Sequence, residues 1–181
     1  MLDNISGHDF AILPRIRGEA LTVRAFLHFD LLRLFAPNIE RGDEQAIPYV
    51  EHFSISPVER STVREVYERI VADLTEAYGL LRDAQPASGR TPEELYVSQY
   101  AAAALLARVC NWGGDHETAE RYALEALKGP FAFIREEQIK NLFLGYTART
   151  ECIWGLHAPD MYLDVRSRLY PTPVSYTHLR A

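Results

Sequence analysis

The sequence predicts a mainly α-helical protein with a short strand and loop portion near the C-terminus. Apolar residues recur every three or four positions in several long stretches, which is the period of a helix that buries one face. Thr-x-x-Glu capping boxes stand before two of these stretches. Apolar residues make up 48% of the 181 residues, as is usual for a chain with a buried core.

The first predicted helix extends from about Ile16 to Phe35 and is apolar almost all the way round. Pro37 follows it and disfavours helical backbone in the residue before it. A helix that is apolar all round is normally covered by neighbouring elements on several sides, so we expect such cover here. Within it, we predict that Phe29 and Leu32 hold the domain together.

Two polar residues on this helix need partners if they are buried. We assign Arg24 a structural role, because a buried guanidinium must be paired; Asp73 and Glu19 are its expected partners. His28 lies one turn further on, and we favour a histidine at the edge of the core, bonded to a neighbour, over a pH-sensitive group beside Asp30.

The second helix is predicted from the capping box Thr62 and Glu65, followed by an apolar stripe that reaches Leu81. A third helix is predicted to start at the box that Thr91 and Glu94 form, with proline at its first position. Further along, residues 151–157 are predicted to form a strand.

The third and fourth predicted helices resemble one tetratricopeptide-type hairpin. Gly113-Gly114 ends the first of them and Asp115 caps the second. Matching features are Ala119, Ala126 and Pro130, whereas Ala103, Ala107 and Cys110 stand where the repeat has Trp, Gly and Tyr. We therefore expect tetratricopeptide-like hairpins rather than a repeat array.

Charge and motif content argue against several functions. The net charge of −6 and the scattered basic residues exclude a typical nucleic-acid-binding surface. No His-Glu-x-x-His pair, phosphate loop or Gly-x-Ser-x-Gly elbow occurs in the sequence. We expect no enzyme activity, no cofactor and no metal site. Cys110 and Cys152 are expected to be small buried hydrophobes.

Four aromatic residues are weak candidates for stacking on a sugar ring, because they offer a flat apolar body with a polar tip. For each of them a core position is the better-supported interpretation. They are Tyr49, Trp112, Trp154 and Tyr170.

The ordered motifs of the chain resemble the SusD/RagB family of Bacteroidetes outer-membrane nutrient-binding lipoproteins. The resemblance covers roughly residues 10–160. It starts with Glu19-Ala20, Arg24-Ala25-Phe26 and the run Phe29-Asp30-Leu31-Leu32-Arg33-Leu34-Phe35. The later pieces are Ile47-Pro48-Tyr49-Val50, Ser61-Thr62-Val63 with Ile70 and Asp73-Leu74, Ala104-Leu105-Leu106-Ala107-Arg108 with Gly114-Asp115 and Ala119, and Glu151-Cys152-Ile153-Trp154.

The resemblance implies a surface-exposed lipoprotein of the cell outer membrane. Such a protein binds a glycan or other nutrient, works with a SusC-like TonB-dependent transporter and catalyses nothing. We expect residues 1–173 to be a SusD-like helical domain truncated at both ends. The last eight residues, 174–181, resemble a translated sequencing adaptor. A stand-alone tetratricopeptide-like module for protein–protein interaction is the other hypothesis.

Overall fold

The computed structural model describes residues 12–53, 55–84, 96–136, 139 and 151–155. The described part is mainly helical, as predicted. Its helices are α1 (Leu13–Phe35), α2 (Val63–Asp83), α3 (Gln99–Gly113) and α4 (His116–Ala126), with a short 3-10 helix at Ile39–Arg41. Each α-helix packs against the next one along the chain. Tyr170 and the predicted adaptor tail, residues 174–181, lie outside the described residues.

α1 and α2 pack side by side and antiparallel. Arg17 near the start of α1 pairs with Glu76 in the second half of α2, whereas Arg24 pairs with Asp73, which lies earlier in α2. The helices approach closely at Gly18, where an added Cβ would lie 2.8 Å from Cγ of Leu81. A side chain at this position would therefore require Leu81 to move.

The expectation that neighbouring elements cover α1 on several sides is wrong for the described part of the protein. Leu21, Phe29 and Leu32 are buried on the face that meets α2 and α3, as expected for core residues. Leu27 is 54% exposed and Leu34 and Phe35 are each 71% exposed. Among the described residues, α1 contacts chiefly α2, so its outer apolar face remains open.

The connector between α1 and α2 is held against the first turn of α2. The predicted capping box forms there: the Glu65 N–H donates to Oγ1 of Thr62 at 3.3 Å, and the Thr62 N–H donates to Oε2 of Glu65 at 2.8 Å. Gln45 and Thr62 form an antiparallel bridge. These bonds fix the path of the chain that carries Tyr49 towards α1.

Two predicted boundaries differ from the observed ones. α3 begins at Gln99, not at Thr91, and its cap is Ser98, whose Oγ accepts from the Ala101 N–H at 3.2 Å. Residues 91–95 lie outside the described residues. The predicted strand at 151–157 is also wrong where the structure describes it, because residues 151–155 contain one turn and a bend but no strand.

The α3–α4 hairpin has the predicted turn. Gly114 adopts φ 84°, a left-handed conformation that suits glycine, and ends α3. Asp115 then caps α4 by accepting from the Thr118 N–H at 3.1 Å. Ala119 and Ala126 are buried on the inner face of α4. The hairpin is therefore tetratricopeptide-like, as predicted.

Candidate functional site

A buried polar cluster joins α1 to α2. Arg24 donates from Nε to Oδ2 of Asp73 at 2.6 Å and from Nη2 to Oδ1 at 2.7 Å. The two side chains are 20% and 10% exposed, so this bidentate pair is largely shielded from water. Glu19, the other expected partner of Arg24, instead accepts from Nε of Arg15 at 2.9 Å.

Tyr49 brings the connector into the same cluster. Its hydroxyl donates to Oδ2 of Asp73 at 2.5 Å, and the residue is only 3% exposed. Burial, followed by the hydrogen bond to Asp73, raises the pKa of Tyr49 above its usual value. The guanidinium groups of Arg24 and Arg69 each lie 5.8 Å from the centre of its ring. Tyr49 therefore occupies a core position and presents no open face for a sugar.

His28 connects the cluster to the backbone of the connector. Its Nδ1 lies 2.8 Å from the carbonyl oxygen of Arg24, and the Val50 N–H donates to its Nε2 at 3.0 Å. Because a carbonyl oxygen can only accept, Nδ1 carries the proton in this arrangement. The ring packs on Tyr49, with centroids 4.2 Å apart. His28 is thus the bonded histidine at the edge of the core that the sequence favours.

A groove of about 710 Å³ runs along the face of α1 beside this cluster. Residues from successive turns of α1 form one wall of the groove. Residues 96–97 and 154–155 form the other wall. The groove is lined by Ile16, Glu19, Ala20, Val23, Arg24, Leu27, His28, Tyr96, Val97, Trp154 and Gly155. It therefore combines an aliphatic floor with two aromatic side chains and a few polar groups.

The predicted aromatic candidates occupy different surroundings. Trp154 lines the groove and meets the ring of Phe26 edge to face, with centroids 5.5 Å apart. Trp112 instead packs in the core, 5.9 Å from the ring of Phe29. Of the candidates in the described residues, only Trp154 lines this groove. Ligand binding by Trp154 remains a prediction.

Tyr96 is a groove residue that the sequence analysis missed. It precedes α3, and it lines the groove because residues 96–97 lie beside α1. No spacing motif links Tyr96 to Trp154, which lies 58 positions further along the chain. Only the tertiary structure brings these two aromatic residues to one groove.

A second cavity, of about 360 Å³, lies beside α3 and α4 and residues 131–133. Alanine and phenylalanine side chains dominate its lining, and Glu151 is its one charged residue. Oε1 of Glu151 already accepts from the Ile134 N–H at 2.5 Å. This cavity offers fewer polar groups to a ligand than the α1 groove does.

The described residues contain no group of three or more His, Cys, Asp or Glu residues that could hold a metal ion. Nor does any helix in this part of the chain combine the length and apolar character needed to cross a bilayer.

Several known structures resemble this chain. A SusD superfamily protein from Bacteroides thetaiotaomicron VPI-5482 is 28% identical over 88% of this chain and 36% of its own, with a TM-score of 0.76. A SusD-like carbohydrate binding protein from Bacteroides vulgatus ATCC 8482 is 25% identical over 85% of this chain and 33% of its own, with a TM-score of 0.71. A SusD superfamily protein from the same strain is 26% identical over 85% of this chain and 36% of its own, with a TM-score of 0.69.

The chain thus spans about a third of the length of these structures. None of the curated proteins matches it. A family model, SusD-like, described as starch-binding and associating with the outer membrane, matches residues 1–110, which is more than half of the chain. The protein therefore belongs to the SusD-like family.

Proposed function

We propose that this chain is the scaffold part of a glycan- or nutrient-binding lipoprotein at the surface of the outer membrane. The observation that carries this proposal is the match of residues 1–110 to a family described as starch-binding and associating with the outer membrane. The antiparallel α1–α2 pair and the α3–α4 hairpin supply a rigid helical support. In this proposal the protein delivers its ligand to a SusC-like TonB-dependent transporter and catalyses no reaction.

The polar cluster supports a scaffold role because its charges are used within the protein. The Asp73 carboxylate accepts from both Arg24 and Tyr49, and both nitrogens of His28 lie within hydrogen-bonding distance of backbone groups. Groups paired in this way hold α1, α2 and the connector in register. They are poorly placed to act as an acid, a base or a nucleophile on a substrate.

Glycan binding can be tested by isothermal titration calorimetry of the 181-residue chain against starch-derived, β-glucan and pectin-derived oligosaccharides. We expect saturable binding of at least one of them and no release of shorter sugars on prolonged incubation. Hydrolysis of a bound oligosaccharide by the purified chain would contradict the non-catalytic role. If every titration were flat, the glycan-binding proposal would fail for this part of the protein.

Partner and location need a test in the native host. An epitope-tagged copy at the native locus should become sensitive to protease added to intact cells and should cross-link to a TonB-dependent transporter. Protection from protease in intact cells, together with cross-linking only to proteins of the cell interior, would favour the stand-alone interaction module instead.

A further inference from the structure

We propose that His28 is a pH-sensitive latch on the connector between α1 and α2. In its neutral form the ring holds the connector at Val50. When the ring takes up a proton, it releases the stretch of chain between Val50 and Arg60. The latch does not depend on which ligand the protein binds, so it stands apart from the proposed function.

Both ring nitrogens of His28 contact backbone groups, and the two contacts need opposite roles. The carbonyl oxygen of Arg24 lies 2.8 Å from Nδ1, and the Val50 N–H donates to Nε2 at 3.0 Å. Only the neutral ring with its proton on Nδ1 can donate at one contact and accept at the other. A charged imidazole carries a hydrogen on each nitrogen, so Nε2 would point a donor at the Val50 donor.

The Val50 contact lies where the connector becomes exposed. Residues 51–53 and 55–60 are all exposed. Nη1 of Arg24 also reaches the carbonyl oxygen of Glu51, but at 3.4 Å, which is long for a hydrogen bond. The Val50 bond is therefore the firmer of these two links between α1 and the connector.

The release is local because other bonds hold both ends of the stretch together. The Ala46 N–H donates to the carbonyl oxygen of Ser61 at 2.8 Å, and the Ser61 N–H donates to that of Ile47 at 3.1 Å. Neither bond involves His28. Protonation of the ring therefore opens the chain from Val50 onwards, while the ends of the connector and the helices stay in place.

The charges around the ring do not replace the lost bond. The titratable and charged groups on the elements packed around it are Glu19, Arg24 and Asp30 on α1, Tyr49 and Glu51 on the connector, Arg69 and Asp73 on α2, and Tyr96 before α3. The carboxylates of Glu19, Asp30 and Asp73 already accept from arginines. Glu51 is exposed, where an ion pair with a charged imidazole would contribute little.

Amide hydrogen exchange at Val50, followed by NMR spectroscopy of the 181-residue chain, tests the release. Rates are corrected for the intrinsic effect of pH on exchange. Between about pH 8 and about pH 5.5, a range in which histidine takes up a proton, protection of the Val50 amide should fall about fivefold or more, as expected for one lost hydrogen bond. The amides of Ala25 in α1 and Leu74 in α2, both buried, should keep their protection.

Three variants identify the titrating group. His28→Gln removes it and should make the protection of Val50 independent of pH. His52→Gln changes the histidine within the released stretch, and His116→Gln changes one on α4. Both of these control variants should keep the pH response of the natural chain.

The ring of His28 gives a second measurement that needs no variant. Imidazole ¹⁵N chemical shifts show which nitrogen carries the proton, and at about pH 8 this should be Nδ1. As the pH falls, uptake of the second proton and loss of Val50 protection should share one midpoint. If His28→Gln does not fold, these two results on the natural chain decide.

Each other result would overturn the latch. A neutral ring with its proton on Nε2 would mean that it does not accept from Val50 in solution. A pH response that persists in His28→Gln would come from another group. Unchanged protection of Val50 would show that the charged ring leaves the connector in place. If the amides of α1 and α2 lose protection together with Val50, acid unfolds the whole domain and no local release occurs.

Discussion

Arg24 and Asp73 form a two-point ion pair across the α1–α2 interface, 49 positions apart in the chain. The pKa of Arg24 is raised, chiefly by its hydrogen bond to Asp73, which indicates that the pair favours the charged guanidinium. Tyr49 donates to the same carboxylate, so one acidic group fixes two helices and the connector. Loss of either charge would leave the other poorly compensated at a largely buried position.

Breaking this ion pair should destabilise the fold. Arg24→Met and Asp73→Leu should each lower the free energy of unfolding by about 2–4 kcal/mol, near the lower end of what buried pairs show because some solvent reaches them. The double variant should lose much less than the sum. Urea unfolding of all four proteins measures this, and additive losses would contradict the coupling.

Replacing the buried Phe29 should lower the free energy of unfolding far more than replacing Phe35, which is exposed on the same helix. Phe29 is 1% exposed and packs on Trp112, so Phe29→Ala should lower the free energy of unfolding by about 3–5 kcal/mol. Phe35 is 71% exposed, and Phe35→Ala should change it by less than about 0.5 kcal/mol. Similar losses from both variants would show that the outer face of α1 is covered in solution.

Local sequence signals predicted α2 and the α3–α4 turn well because their determinants are close together in the chain. The Thr62–Glu65 box and the Gly114-Asp115 turn each involve residues within three positions of one another. Local signals fail at the start of α3, because two nearby positions satisfy the same local rule. The Thr91 box and Ser98 are both acceptable caps locally, and the sequence does not rank them.

The remaining features depend on how the helices pack against one another, which the sequence does not show. The sequence offered Arg24 two partners, and only the packing of α2 on α1 shows that it pairs with Asp73. The apolar pattern of α1 likewise revealed its character but not which neighbours cover each side. Tyr96 and Trp154 come to one groove through long-range packing, so no local pattern could have joined them.

Alkaline pH should destabilise the fold through Tyr67. Its burial, followed by the charges of Cys110 and Asp115, raises the pKa of Tyr67 to about 12, compared with about 10 in an unfolded chain. A raised folded-state pKa contributes stability below pH 10, and this contribution is lost as the pH rises through 12. Urea unfolding at pH 8 to 12 should show a steeper decline for the natural chain than for Tyr67→Phe. Parallel curves would contradict this assignment.

Two glycines should respond oppositely to alanine. Gly114 adopts φ 84° with open space around its Cα, so Gly114→Ala meets no clash and should lose about 1–2 kcal/mol from backbone strain alone. Gly79 lies inside α2, also with nothing near an added Cβ, so Gly79→Ala should gain about 0.5–1 kcal/mol from reduced freedom of the unfolded chain. Thermal and urea unfolding would measure both changes. Because alanine adds the same methyl group at each site, a loss at Gly79 equal to that at Gly114 would mean that strain at the turn is not the cause.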